Sequence, residues 1–253
     1  MNRRGYSLLE VCITCALFSL MAVLGFLSMR QSGKVMAISS GRDKATAQLM
    51  KARHTLVRDL EMASPLPSCM RISPSPASLG GGADGDALLF LSAVDPATGV
   101  FQCDAGQSSP FWMRNVLYYL SVPNNYASAL GYSMSGGSVA GYDFSIPVKQ
   151  LVRVVSDENA GNNPAVASTE DTLLGSATAL MTRPATVFSG PDRQTVANGL
   201  LGFRCNLSGS ALQVDLWAVS FDEAARAQGF NPSLSYREGR YTVQHRFLVY
   251  PKN

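Results

Sequence analysis

The stretch RRGYSLLEVCITCALF, residues 3–18, sets one carboxylate, Glu10, near the start of an apolar run. From Tyr6 to Met29 Glu10 is the only charged residue. A charge taken out of water without a partner costs several kcal/mol, so the run has to supply Glu10 with one. Residues 6–29 number 24, and as a helix they would measure roughly 36 Å, enough for a bilayer core of about 30 Å. The hydroxyls of Ser7, Thr14, Ser19 and Ser28 are tolerable there, because each can bond back to the preceding turn. Arg3 and Arg4 precede the run, and the positive-inside rule puts that end in the cytoplasm and the bulk of the chain outside.

Three readings of the run compete. In the first it is a secretory signal peptide, with VMA at residues 35–37 as a small-residue cleavage site. The run is long for such an h-region, and the site lies beyond Arg30 and Lys34. In the second it is a plain signal anchor, which accounts for neither Glu10 nor the glycine just before the run. The third rests on register: a short basic leader, Gly5, then Tyr6, Ser7, the Leu8–Leu9 pair and Glu10. This pattern resembles the type III signal of type IV prepilins and pseudopilins.

The resemblance implies that a prepilin peptidase cuts after Gly5 and N-methylates the new terminus, Tyr6. The family usually has Phe there, so Tyr keeps the aromatic ring. Glu10 becomes the fifth residue of the mature chain, where the family carries its glutamate. In the assembled fibre Glu10 would meet the cationic amine of a neighbouring subunit, a pair far stronger in low dielectric than in water. Snorkelling of Glu10 to the interface is the competing structural role.

Helical patterning continues past Met29. Ala45, Leu49, Ala52, Leu56, Leu60 and Ala63 recur in steps of 4, 3, 4, 4 and 3 and trace one helix face. Pro65 and Pro67 predict its end. A helix over residues 6–63 would measure roughly 87 Å, with Gly33 and Gly41 as points of weakness in its middle. The domains expected are a leader at 1–5, a transmembrane or fibre-core helix at 6–29, an amphipathic continuation at 30–63 and a β-rich globular domain at 64–253. Residues 73–86 are turn-rich. Strands are expected in ALLFLSAV, NVLYYLSV, LVRVV, LQVDLWAVSF and YTVQHRFLVYP. Residues 195–209 suggest a connection leading into a strand, residues 156–171 an exposed polar loop, and residues 224–240 another loop that begins with a helical turn. The fold class is α+β, one long N-terminal helix on a mainly antiparallel sheet. The order of the short strings after the helix is similar to that of the larger minor subunits of the family, the J-type pseudopilins and W-type minor pilins.

Composition narrows the chemistry. The 253 residues are 46% apolar and 15% charged, with a net charge of +3. Arg3 and Arg4 supply two of those charges, and the near-neutral remainder gives no clustered basic face for nucleic acid. Of five cysteines, Cys12 and Cys15 lie in the apolar run, share a helix face and point outward, which disfavours a mutual disulfide. The other three permit one bridge, and Cys69–Cys103 is the pair expected here. His54 and His245 stand apart, with no cysteine–histidine cluster, so no metal site is expected. Asp84 and Asp86 lack the further ligands of a calcium loop and read as turn residues. No catalytic constellation, cofactor site or phosphate loop is expected.

The function expected is that of a structural minor subunit at or near the tip of a type IV pilus-like fibre. Its partners would be the prepilin peptidase, other pilins or pseudopilins, the inner-membrane assembly platform and membrane lipid. It would sit in the bacterial inner membrane, then in the fibre. The alternatives are a minor pseudopilin of type II secretion, an anchored adhesin or DNA-uptake binder, and an exported enzyme that uses the run only as an anchor.

Overall fold

A computed structural model describes residues 7–74, 85–95, 97–106, 108–121, 149–159, 161–181, 193–219 and 242–252. Gly5, Tyr6, Asp84 and the loop expected at 224–240 lie outside the described residues.

One helix, α1, runs unbroken over Leu8–Leu60. Neither Gly33 nor Gly41 interrupts it, and Gly41 is buried. Its N-cap is Ser7, whose side chain accepts from the Glu10 N–H, while Glu10 Oε2 accepts from the Ser7 N–H at 2.9 Å. This reciprocal pair satisfies two of the backbone donors that a helix start leaves open. Thr14 and Ser19 turn their hydroxyls back onto the carbonyls of Glu10 and Cys15, as hydroxyls in an apolar helix are expected to do.

Among the described residues seven strands follow α1: β1 Met70–Pro74, β2 Asp86–Ser92, β3 Arg114–Ser121, β4 Lys149–Ser156, β5 Arg193–Ser208, β6 Ala211–Val219 and β7 Thr242–Val249. Each pairs antiparallel with its neighbours in sequence, so the sheet order is β1 through β7 without a crossover. The fold is α+β. The stretch expected to be a connection leading into a strand, 195–209, is strand almost throughout: β5 runs for 16 residues. Its first part pairs with β4 and its second with β6, and the registers shift on both sides of Leu200. Gly199 at φ +71° makes that irregularity, and a Cβ there would stand 2.8 Å from the Val219 carbonyl, so only glycine fits without strain. Beyond the bend, Gly85 bridges Phe203 in parallel and the Cys205 N–H donates to Asp86 Oδ2 at 2.8 Å, which curls the sheet.

The stripe from Ala45 to Ala63 is the helix contribution to the main core, and each of its six predicted residues is at most 2% exposed. It packs with Leu88, Phe90, Tyr118, Phe203 and Leu216 on one face of the sheet. The opposite face carries Leu89, Leu117, Tyr119 and Val154, covered by a short helix, α2, at Ala177–Met181. Arg71 of β1 ties down the approach to α2 by donating to the carbonyls of Leu174 and Gly175.

The segment expected to be an exposed polar loop, 156–171, is stitched to the domain at both ends. Ser156 and Asp171 are each 1% exposed. Asn162 donates to the Met113 carbonyl at 2.7 Å, and Glu170 accepts from the Trp112 N–H. Asp171 accepts from the N–H groups of Glu158 and Asn159 at 3.2 and 3.0 Å. Polar composition marked the surface correctly but missed that these side chains satisfy backbone groups the loop would otherwise leave unpaired.

Candidate functional site

Residues 7–36 of α1 are exposed throughout. They include Leu8 at 85%, Phe18 at 75% and Met29 at 78%. Soluble monomers rarely leave a continuous apolar surface of this size bare. By length and composition, the part of this segment up to Met29 is apolar enough to cross a membrane. The domain rests only on the second half of the helix, whose buried residues begin at Gly41.

Glu10 stands at the start of this bare segment. Its carboxylate caps the helix through Oε2, and a carboxylate has about four lone-pair positions, so capping leaves it able to accept from a further group. The helix N-terminus, with its unpaired N–H groups and dipole, also favours a negative charge there. The S-x-x-E spacing of Ser7 and Glu10 was legible in the sequence as a capping box, a reading the apolar context obscured.

The expected bridge between Cys69 and Cys103 is not formed: all five cysteines are free thiols. Cys69 is buried in the turn entering β1, whereas Cys103 is exposed opposite Pro110 in the loop after β2. Burial, then the carboxylates of Asp86 and Asp215, push the Cys205 thiol well up, which keeps it protonated and unreactive. Asp86 is committed to the Cys205 N–H. His54 is exposed on α1. The His245 ring packs 5.6 Å from Phe247, and burial followed by the charge of Arg53 lowers its pKa. No group of three or more potential metal-ligating side chains occurs among the described residues.

A second polar centre, unforeseen in the sequence, lies where the end of α1 meets β3 and β4. Asp59 Oδ2 accepts from Tyr118 Oη at 2.7 Å and from Arg153 Nε at 2.5 Å, while Oδ1 accepts from Arg58. Burial works against the Arg153 charge, but Asp59 and then Tyr118 outweigh it, so the Arg153 pKa is raised. Burial followed by the Asp59 charge drives the Tyr118 phenol well above its ordinary value. Arg153 therefore stays a guanidinium and Tyr118 a neutral phenol at neutral pH.

Asp171 is placed to titrate just below neutral pH. Burial, with the Asp157 and Glu158 charges adding to it, raises its pKa to about 6 against the backbone hydrogen bonds that lower it. An acid whose folded pKa is raised is penalised where it is ionised. The penalty is full above pH 6 or so, shrinks as pH falls towards 4, and is gone below its unfolded value. A rise from 3.8 to about 6 amounts to about 3 kcal/mol. Loop 156–171 is therefore expected to gain protection from hydrogen exchange, after correction for intrinsic rates, as pH falls from 7 to 4.5. Asp171→Asn should flatten that dependence; a wild-type loop that loosens steadily on acidification would refute the assignment.

Comparison of the chain with known proteins finds no matching family model, no matching curated protein and no matching solved structure.

Proposed function

We propose that this protein is a structural subunit of a type IV pilus-like fibre, processed after Gly5, N-methylated at Tyr6 and held in the assembly by its N-terminal helix. The observation that carries this reading is the bare segment 7–36, apolar up to Met29, which the protein's own domain leaves uncovered and which has its one carboxylate at the start. A charged side chain in the bilayer core costs about 3 kcal/mol on insertion scales. A cationic amine from a neighbouring subunit would relieve that cost, and helix packing would cover the rest of the segment. Before assembly the protein would sit in the inner membrane with its N-terminus cytoplasmic and its domain outside. A position at or near the fibre tip suits the size of the domain, and the same architecture would serve a secretion pseudopilus with different neighbours.

Two variants of the full chain test this. Glu10→Ala loses both cap and charge; Glu10→Gln keeps an acceptor for the Ser7 N–H and loses only the charge. Both should insert into the membrane normally, and both should fall out of sheared fibres to near background. Incorporation of Glu10→Gln at the wild-type level would leave the glutamate with a capping role alone. Mass spectrometry of the mature protein should find methylated Tyr6 at the N-terminus, and any other N-terminus would overturn the processing scheme.

A further inference from the structure

A cleft of about 280 Å³ opens beside the Asp59 centre, between the end of α1 and the facing ends of β2 and β3. Its charged lining is Arg58, Arg114 and Arg153 against Asp59 and Asp95. Met62 and Val94 supply apolar wall.

The two carboxylates are already engaged. Asp59 uses both oxygens on Arg58, Arg153 and Tyr118. Asp95 accepts from the Ala97 N–H at 2.8 Å and from Thr98 Oγ1 at 2.7 Å, which holds the turn after β2. Arg114 has no ion pair among the described residues, and its Nε is buried without a hydrogen-bond partner. Burial, then the Arg153 charge, lowers its pKa, against weaker help from Asp59, Asp95 and Asp157. A half-buried guanidinium with no ion pair is costly to hold; its Nε is closed off from solvent, and an arriving anion would meet the terminal nitrogens instead.

We propose that this cleft is a recognition site for a single carboxylate, supplied by an acidic side chain or chain end of a partner polypeptide, with Arg114 as its cation. The size fits: at roughly 30 Å³ per water the cleft holds about nine waters, enough for one acidic side chain. The charge fits as well. Three guanidiniums against two carboxylates leave one net positive charge, which suits a monoanion, while Asp59 and Asp95 repel a second negative charge and disfavour phosphate. The methylene stem of a glutamate would lie on Met62 and Val94. The site lies on the globular domain, away from segment 7–36, and does not depend on the fibre reading.

The test is titration of the detergent-solubilised full chain, followed by the Arg114 Nε–H resonance. N-acetylglutamate should shift that resonance saturably with a millimolar dissociation constant, and a short polyglutamate peptide should bind more tightly if the source is a polypeptide. N-acetylglutamine and inorganic phosphate should bind at least roughly tenfold more weakly, about what the loss of a charge-assisted hydrogen bond predicts. Arg114→Gln should abolish binding, read by the shift of thermal midpoint with ligand. Because that variant also alters a half-buried position, Asp95→Asn supplies the opposite sign: it keeps an acceptor for the Ala97 N–H, removes a repelling charge and should tighten N-acetylglutamate several-fold. The proposal is overturned if N-acetylglutamate gives no saturable shift, if N-acetylglutamine matches it, or if Asp95→Asn leaves the affinity unchanged. A peptide that binds no better than the free amino acid derivative would overturn the assignment to a polypeptide partner.

Discussion

Replacing Asp59 with alanine is expected to lower the unfolding free energy by about 3 kcal/mol, near the low end for breaking a buried ion pair. The loss comes less from the attraction removed than from what remains. Arg153, with 12% of its side chain exposed, would keep its charge without a counterion, and the Tyr118 hydroxyl would lose the acceptor 2.7 Å away. Asp59→Asn retains one oxygen for one of these donors and should cost less. Chemical denaturation of the two variants in one detergent checks both size and order. Equal losses would mean that the retained acceptor contributes nothing and that the charge carries the whole effect. Arg58→Ala should be nearly silent, since that side chain is 63% exposed and exposed pairs are worth about 0–1 kcal/mol.

The second large effect is expected at Leu56, which is fully buried in the stripe of α1. Leu56→Ala removes three carbons from a core shared by the helix and one sheet face, and should cost about 2–5 kcal/mol depending on how far the site collapses. Leu8→Ala, on the same helix but 85% exposed, should leave the domain's unfolding unchanged within about 0.5 kcal/mol. The contrast separates the part of α1 that belongs to the domain from the part that does not; equal effects would contradict that division. Asp59 and Leu56 lie three residues apart on one helix, so the variants belong in separate chains, because neighbouring substitutions do not add.

What the sequence made legible is local. The stripe steps of three and four residues named the buried face of α1, and Pro65 and Pro67 marked where the helix must stop; it ends at Leu60. Five strands announced themselves through apolar and β-branched runs. The start of β5 was missed because Asn198, Gly199 and Gly202 look like turn residues, whereas here they accommodate the bend of a continuous strand. β1 went unseen because MRISP is short and only its first residue is buried. The centre joining Asp59, Tyr118 and Arg153 could not have been found by pattern. Its members come from three elements and meet only when the sheet registers Tyr118 opposite Arg153 beneath the helix. Arg114 is similar: it opens β3 as an ordinary strand-edge cation, and its isolation is a property of the assembled cleft.

The order of the strands has a bearing on how the molecule is made. α1 is made before every described strand, yet it packs chiefly on β5, β6 and β7, which are made after β1 to β4. Hairpins can zip up one after another, since every strand finds its mate next door in the chain. The helix has no such early mate. Its apolar stripe must wait until β5, β6 and β7 have been made, and until then it is open to helper proteins or to misplaced neighbours. Closure of the core is thus a late event, however early the helix itself has formed.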